Sequence, residues 1–379
     1  MKKYKTIKLS LVLILFLITG LGTLIMQNEL ERIRNDKKEE VYVPETRDLY
    51  NSYGLKNDQT LSNTKILENQ EQIIYTDRIF NVNQISEDRI PYAVDIMNAL
   101  QKKSGKDTYV MPLPERAVFE SGYENEKEKY SDFIEKLESD LSDSSVVLDP
   151  SSELDKHRYE YIYFRTANSW TMRGAFYGAQ VIFRELGYEE ENLDAYRKYV
   201  FGNVNGKLLS SAAAKYTEDG INEKIKSIEK DPFYIYIKGS NPNREELTFK
   251  NRKGQLQTIK REMIQLNSSG ENAVIATNYK HSVVQGRGKG EGTGNLLLIA
   301  DTRGKMMISY LSEIFDKVYV SNVHEDADLI QDLDEILEKY NIEYIIWAQD
   351  IAEIGKRFYM KALNPLLKEG GMSDVGTDS

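Results

Sequence analysis

The sequence predicts an α/β fold with a mainly parallel sheet that helices cover on both faces. Two observations lead to this fold class. Short apolar segments with the composition of strands alternate with helical periodicities of about a dozen residues, the pattern of consecutive βαβ units. In addition, residues 296–300 are apolar at every position, as expected for a strand that is buried on both sides.

Composition narrows the classes of function. The 379 residues can bury one large core, or one core with a sizeable insertion. The net charge of −10 argues against nucleic acid as a partner, because phosphate binding needs an excess of Lys and Arg. Cysteine is absent, which excludes disulfides, thiol catalysis and cysteine-ligated zinc. With only three histidines, we expect neither a metal centre nor a cofactor.

An N-terminal segment, residues 9–26, has no charged side chain. As a helix it would be about 27 Å long, close to the thickness of the hydrocarbon core of a membrane. Four lysines precede it, at Lys2, Lys3, Lys5 and Lys8. The positive-inside rule then leaves residues 1–8 in the cytoplasm and the body of the protein outside. We therefore predict a single-pass transmembrane anchor in the cell membrane.

A cleaved signal peptide is the alternative for this segment, because it shares the basic start and the apolar run. Cleavage needs small residues in an Ala-x-Ala-like site. The run instead ends in Gly22-Thr23-Leu24-Ile25-Met26, and no cysteine could carry a lipid. Retention of the anchor is the prediction that we adopt, and both alternatives export the body.

The rest of the chain divides into three parts. Residues 27–89 are polar and predict a stalk or linker, with a short ordered stretch at 73–75. The folded domain is predicted at 90–368, and 369–379 form a flexible tail. Within the domain, 190–290 predict a β-rich insertion with strands at 233–237 and 273–277. The remaining predicted elements are helices at 91–103, 125–141, 171–186, 305–315 and 327–339, and strands at 108–113, 145–148, 296–300, 318–320 and 344–347.

Two turns could carry chemistry in such a fold. The first joins a buried strand to a helix at Asp301-Thr302. A strand-to-helix turn exposes a hydroxyl beside backbone N–H groups, which suits a nucleophile with an oxyanion site. The plain alternative is a connector in which Asp301 or Thr302 caps the helix. The second turn, residues 163–171, by itself predicts only the N-terminus of a helix, with Trp170 in the core.

Five motifs, taken in order, carry a resemblance to a known family. They are Tyr109-Val110-Met111-Pro112-Leu113-Pro114, the segment 160–166, Trp170-Thr171 with Gly174-Ala175, the segment 202–208, and 295–299 with Asp301. Through them, residues 90–344 resemble the DHHW family, bacterial exported proteins similar to the SGNH-like subunits of alginate O-acetyltransferase systems. The resemblance implies an SGNH-hydrolase-like body that acts on cell-envelope polysaccharide.

The chain departs from the family at each position of the implied catalytic triad. The signature Asp-His-His-Trp reads Ala167-Asn168-Ser169-Trp170, so the Asp and His positions hold Ala167 and Ser169. The nucleophile position after Asp301 holds Thr302 instead of serine. Alanine cannot orient an imidazole, and serine cannot accept a proton near neutral pH, so Thr302 lacks an adjacent base. The resemblance leaves Asn168, Trp170 and Arg303 as candidate binding residues.

These substitutions favour a pseudoenzyme. We expect a catalytically degenerate, membrane-anchored protein that binds cell-envelope polysaccharide or assists its modification, with a membrane-bound O-acyltransferase as a candidate partner. The alternative is an active O-acetyltransferase or esterase on envelope glycans, in which His281 or His324 would supply the base for Thr302. A purely structural envelope protein is a third alternative.

Overall fold

The structure is a computed structural model that describes residues 61–369, apart from Asp143, Asn205 and the ranges 239–243, 251–255, 263–279 and 287–293. The predicted anchor, the predicted strand at 273–277 and the tail from 370 lie outside the described residues. No helix in the described part of the chain is long and apolar enough to cross a membrane.

Thirteen strands and ten α-helices make up the described part of the chain. The strands are β1 (Lys65–Glu68), β2 (Gln72–Tyr75), β3 (Ile79–Asn81), β4 (Asp107–Leu113), β5 (Ser145–Val147), β6 (Tyr196–Val204), β7 (Asp231–Lys238), β8 (Arg244–Lys250), β9 (Leu256–Glu262), β10 (His281–Gln285), β11 (Asn295–Ala300), β12 (Lys317–Asn322) and β13 (Tyr344–Asp350). The helices are α1 (Ile90–Ser104), α2 (Glu124–Asp140), α3 (Ser151–Lys156), α4 (Met172–Glu185), α5 (Lys207–Lys215), α6 (Ile221–Lys226), α7 (Thr302–Lys305), α8 (Ile308–Ile314), α9 (Leu333–Lys339) and α10 (Pro365–Glu369).

The central sheet has eight strands in the order β5-β4-β13-β11-β12-β10-β8-β9. The first five strands run parallel to one another, and β10, β8 and β9 continue the sheet as antiparallel strands. The predicted fold class, a mixed α/β fold with a mainly parallel sheet, is therefore confirmed. Because the parallel strands all point the same way, their carboxyl ends form one continuous edge.

Hydrophobic side chains pack on both faces of this sheet. Strand β11 shows the principle, because Leu296 and Leu298 face one core cluster and Leu297 and Ile299 face the other. Helices α4 and α8 contribute to the first cluster, and α1, α2 and α9 to the second. A strand that is buried on both faces needs an unbroken apolar run, which explains the sequence of β11.

Regular secondary structure is present before the domain start that the sequence predicted. Strands β1, β2 and β3 form an antiparallel sheet within the segment predicted as the stalk. Alternate residues of β2 face opposite sides. Ile73 packs with Phe80 and Tyr123, whereas Ile74 packs with Leu209 and Ile225. The small sheet is thus held by apolar contacts to the body, a long-range arrangement that its polar neighbours in sequence do not indicate.

The predicted β-rich insertion also differs in its organisation. It contains two helices, α5 and α6, and its strands belong to two different sheets. Strands β6 and β7 pair only with each other among the described residues, whereas β8, β9 and β10 extend the central sheet. The segment is therefore partly built into the core of the body.

Candidate functional site at the carboxyl edge of the parallel strands

The turn after β11 is shaped by the carboxylate of Asp301. It accepts hydrogen bonds from the backbone N–H of Gly304 and from the backbone N–H of Asp350, both at 2.8 Å. The first bond caps α7, and the second ties the turn to the end of β13. Asp301 is buried, whereas the side chain of Thr302 is exposed to solvent. The helix cap that the sequence predicted as the plain alternative is present. The hydroxyl of Thr302 is exposed to solvent at the same turn.

Close packing of the turn explains its glycine. A Cβ atom at Gly304 would lie 2.6 Å from the carbonyl oxygen of Ala348 on β13, closer than real contacts allow. Only glycine lets α7 approach the neighbouring strand this closely. The turn is therefore held in place from two sides, by the carboxylate of Asp301 and by contact with β13.

The signature block, residues 167–170, lies against this turn. The indole N–H of Trp170 donates a hydrogen bond to the carbonyl oxygen of Arg303 at 2.9 Å. The hydroxyl of Ser169 is 3.7 Å from the sulfur of Met306 and donates to the carbonyl oxygen of Trp170 at 3.2 Å. Trp170 is fully buried, Ala167 is buried, and Ser169 is partly exposed. The block and the turn are thus brought together, while the roles of Ala167, Ser169 and Thr302 stay predictions.

A buried carboxylate, Asp231, holds the chain just before the block. It accepts hydrogen bonds from the backbone N–H groups of Arg165 and Thr166, both at 2.8 Å, and from the hydroxyl of Tyr161 at 2.7 Å. The hydroxyl of Thr166 donates to it as well. Burial raises the pKa of Asp231 overall, although Thr166 and the other donors oppose this rise. No sequence motif marks this contact, because Asp231 lies at the start of β7, far along the chain.

Beneath the block lies a buried polar network centred on Arg303. Its Nη2 atom is 2.6 Å from Asp350 and 3.6 Å from Glu115, and Asn168 donates a hydrogen bond to Glu115. Burial raises the pKa values of Glu115 and Asp350, and the positive charge of Arg303 opposes this. Two predicted binding residues, Asn168 and Arg303, are therefore engaged with protein carboxylates.

Glu115 and Asp350 were not predicted as site residues, although their positions at the ends of strands are a signal. Glu115 follows the end of β4, and Asp350 is the last residue of β13. Both strands were predicted. Polar residues at the carboxyl ends of parallel strands meet at one edge, where ligands bind in open α/β sheets. Their position after predicted strands could therefore have marked them as candidates.

Of the two histidines considered as substitute bases, His324 lies beside the turn. It follows β12, and its Nε2 atom is 2.9 Å from a carboxylate oxygen of Glu353. Atoms of Asp301, His324 and Glu353 lie within 4.8 Å of one another. Burial lowers the pKa of His324, but the hydrogen bond and charge of Glu353 outweigh it, so the pKa is raised. His281 is on β10, where its Nδ1 atom is 3.7 Å from Asp326.

A separate cleft of about 200 Å³ does not have Thr302 in its lining. Its lining includes Asn63, Ser121, Arg158 and Tyr159, with Arg78 and Arg116 at ion-pair distance from Glu120. The ring of Tyr159 is 43% exposed, and the guanidinium of Arg158 lies 4.8 Å from its centre. Arg78 and Arg116 are thus paired with Glu120, and Arg158 is 3.4 Å from Asp155, so polar and aromatic groups line the rest of the cleft.

These features define the class of protein: an α/β fold similar to SGNH-type structures, with an exposed hydroxyl at the turn after the central strand and a tryptophan-containing block packed against it. Comparison with family models gives a narrower likeness. The family model described as DHHW protein matches residues 150–321. The resemblance to the DHHW family that the sequence predicted is confirmed.

Solved structures agree with this assignment of the fold. A DHHW family protein from Eubacterium siraeum aligns with a TM-score of 0.61 at 16% identity, covering 78% of this chain and 99% of its own. Bacillus cereus PatB1 with a sulfonyl adduct aligns with a TM-score of 0.55 at 12% identity, covering 75% and 95%. The O-acetyltransferase domain of Pseudomonas putida AlgJ is a looser likeness, with a TM-score of 0.41 at 9% identity over 74% and 90%. No curated protein matches the chain.

Proposed function

We propose that this protein is a catalytically degenerate, membrane-anchored member of the exported SGNH-like proteins, and that it binds cell-envelope polysaccharide or assists its modification. One observation carries the proposal. The block that packs against the Thr302 turn offers no imidazole, because Ala167 and Ser169 occupy the positions where the family resemblance expects Asp and His.

The surroundings of Ser169 support the loss of triad chemistry. Its hydroxyl lies beside the sulfur of Met306 and the carbonyl oxygen of Trp170. Neither group is a base that could relay a proton. Thr302 then keeps a hydroxyl without the acceptor that a hydroxyl nucleophile requires.

The cleft at Tyr159 supports the binding part of the proposal. An exposed aromatic ring beside a guanidinium, an amide and a hydroxyl suits a sugar, which presents an apolar ring face and a rim of hydroxyl groups. The family resemblance extends the proposal to a cell-envelope polysaccharide as ligand and to a membrane-bound O-acyltransferase as partner, both outside the cytoplasm.

The catalytic part is tested with a generic acetyl ester. We expect the rate of ester hydrolysis to be the same for the wild type and for Thr302→Val, which removes the hydroxyl but keeps the shape of the side chain. A loss of tenfold or more in Thr302→Val would refute degeneracy.

The binding part is tested with envelope polysaccharide. We expect Tyr159→Ala to weaken binding about tenfold, or ~1.4 kcal/mol, because it removes the aromatic surface of the cleft. Phe358→Ala is the matched control, since Phe358 is 70% exposed and outside the cleft. Equal affinities of Tyr159→Ala and Phe358→Ala would remove the cleft from the proposal.

An active O-acetyltransferase or esterase is the second candidate. The observation in its favour is that Thr302 is exposed and directly follows Asp301, whose carboxylate is within 4.8 Å of His324. If His324 were the base, Thr302→Val and His324→Ala would lower the rate by similar factors, and the double variant would lower it no further.

A further inference from the structure

We propose that Asp301, His324 and Glu353 form a binding site for one divalent transition-metal ion. Each residue offers one ligand atom, and the three atoms lie within 4.8 Å of one another. The residues come from the carboxyl ends of three neighbouring parallel strands, β11, β12 and β13. The sequence predicted no metal centre from its low number of histidines, but one imidazole is enough when carboxylates complete the set.

The carboxylate of Asp301 is an independent sign that a cation belongs here. Only 3% of the residue is exposed, and its hydrogen bonds come from the backbone N–H groups of Gly304 and Asp350. The positive charge of Arg303 acts on it from nearby, but among the described residues it has no ion-pair partner at contact distance, because the Nη2 atom of Arg303 contacts Asp350 and Glu115. Buried carboxylates are normally paired or bound to metal. Each oxygen of Asp301 keeps a lone pair for a ligand.

The spacing of the three groups fits a small coordination sphere. Bonds of about 2.0–2.2 Å to zinc place tetrahedral ligand atoms roughly 3.4 Å apart. The atoms Nε2 of His324 and Oε2 of Glu353 are already 2.9 Å apart. Their side chains are 30% and 24% exposed, so rotation can bring both toward Asp301 and leave a fourth position open to water.

The ligand set favours zinc over calcium and magnesium. Imidazole nitrogen is a good ligand for the later transition metals, whereas calcium and magnesium are held by oxygen alone in most protein sites. One imidazole with two carboxylates therefore points to an ion such as Zn²⁺. The site would lie next to the exposed hydroxyl of Thr302.

Zinc titration of the full-length protein in detergent, after treatment with a chelator, tests the proposal by calorimetry. The chain contains three histidines and no cysteine, so three single variants examine every imidazole. We expect one zinc ion per chain, at least tenfold weaker binding in His324→Ala, and unchanged affinity in His281→Ala and His157→Ala. His281 is a close match, because it also lies near one carboxylate, that of Asp326.

The variant Glu353→Gln tests the site with a substitution that the fold should tolerate. It keeps the size of the side chain and a polar partner for His324 but removes one anionic ligand, and we expect at least tenfold weaker zinc binding with an unchanged circular dichroism spectrum. Three results would overturn the proposal: no saturable binding to the wild type, weaker binding in His281→Ala or His157→Ala instead of His324→Ala, or unchanged affinity in Glu353→Gln. In each case His324 and Glu353 form only an ion pair.

Discussion

The indole N–H of Trp170 donates a hydrogen bond to the backbone carbonyl of Arg303, although 133 residues separate the two in sequence. Trp170 is the only residue of the family signature that the chain retains. The bond joins it to the turn that carries Thr302. A tryptophan at this position therefore positions the turn whether or not the neighbouring residues can perform catalysis.

Removing this contact should destabilise the body. In Trp170→Phe the carbonyl of Arg303 loses one of its two donors, because the backbone N–H of Met306 still donates to it at 3.1 Å, and we expect the free energy of unfolding to fall by about 0.5–1.5 kcal/mol. Trp170→Ala also leaves a cavity and should cost about 3–5 kcal/mol. Denaturant unfolding measures both values. A cost below about 1 kcal/mol for Trp170→Ala would contradict the close packing described for this residue.

Substitution of Asp231 should lower the stability of the fold more than its position outside the turn suggests. In Asp231→Ala the backbone N–H groups of Arg165 and Thr166 and the hydroxyl of Tyr161 lose their acceptor, and we expect a loss of about 3–5 kcal/mol. Asp231→Asn keeps one acceptor oxygen and should cost less. The exposed Asp219 is the matched control, since Asp219→Asn should change stability by less than about 0.5 kcal/mol. Similar values for positions 231 and 219 would disprove the anchoring role.

Restoring the triad tests whether the pocket around it has been kept. The triple variant Ala167→Asp, Ser169→His and Thr302→Ser supplies a nucleophile, a base and a group to orient the base. We expect a measurable gain of acetyl-ester hydrolysis that disappears when Ser169→His is omitted. A triple variant that folds but shows no gain would indicate that more than the three side chains has changed.

Lys198 makes the free energy of unfolding depend on pH in the alkaline range. Burial lowers its pKa to about 8, from an ordinary value of 10.5. Between these values the unfolded chain holds a proton that the folded chain has released, so the free energy of unfolding rises with pH. Relative to Lys198→Met, the wild type should gain stability from pH 7 to pH 10. Denaturant unfolding at several pH values measures the difference, and parallel curves would contradict the prediction.

The N-terminal anchor remains a prediction with a direct test. The apolar run at 9–26 and its basic flank should keep the protein in the membrane fraction after a high-salt wash, which removes proteins held by charge alone. Cell fractionation and N-terminal sequencing provide the measurement. Soluble protein that starts near Gln27 in the medium would show that the segment is cleaved.

Sequence periodicity was sufficient for the elements of the core. The helix predicted at 91–103 is α1, and the buried strand predicted at 296–300 is β11, because an amphipathic or unbroken apolar pattern determines the local structure directly. The helix predicted at 327–339 is an element for which periodicity alone was not sufficient. Only Leu333–Lys339 is helical, whereas residues 327–331 form turns, because short polar side chains such as Asp328 and Asp332 favour turns over helix.

Only those residues of the candidate site that belong to a recognisable motif were predicted. Asp301, Thr302 and Trp170 could be selected because each lies at a recognisable turn. The partners Glu115 and Asp350 carried only the weaker signal of a position at or after the end of a strand, and Glu353 carried none, since charged residues from separate strands and loops become neighbours only when the parallel sheet forms. Of the small sheet of β1, β2 and β3, only the stretch at 73–75 was predicted to be ordered, because the partners of its apolar residues lie far along the chain.

The anchoring of the signature block by β7 limits how the chain can be recombined. Thr166 is held by Asp231, and its hydroxyl accepts a hydrogen bond from the backbone N–H of Gly206 at 3.1 Å. The packing is tight here, since a Cβ atom at Gly206 would lie 1.9 Å from the carbonyl oxygen of Thr166. A chimera that exchanged only residues 160–170 with a relative would separate this loop from both partners. The smallest exchangeable module therefore runs from the signature block to the end of β7.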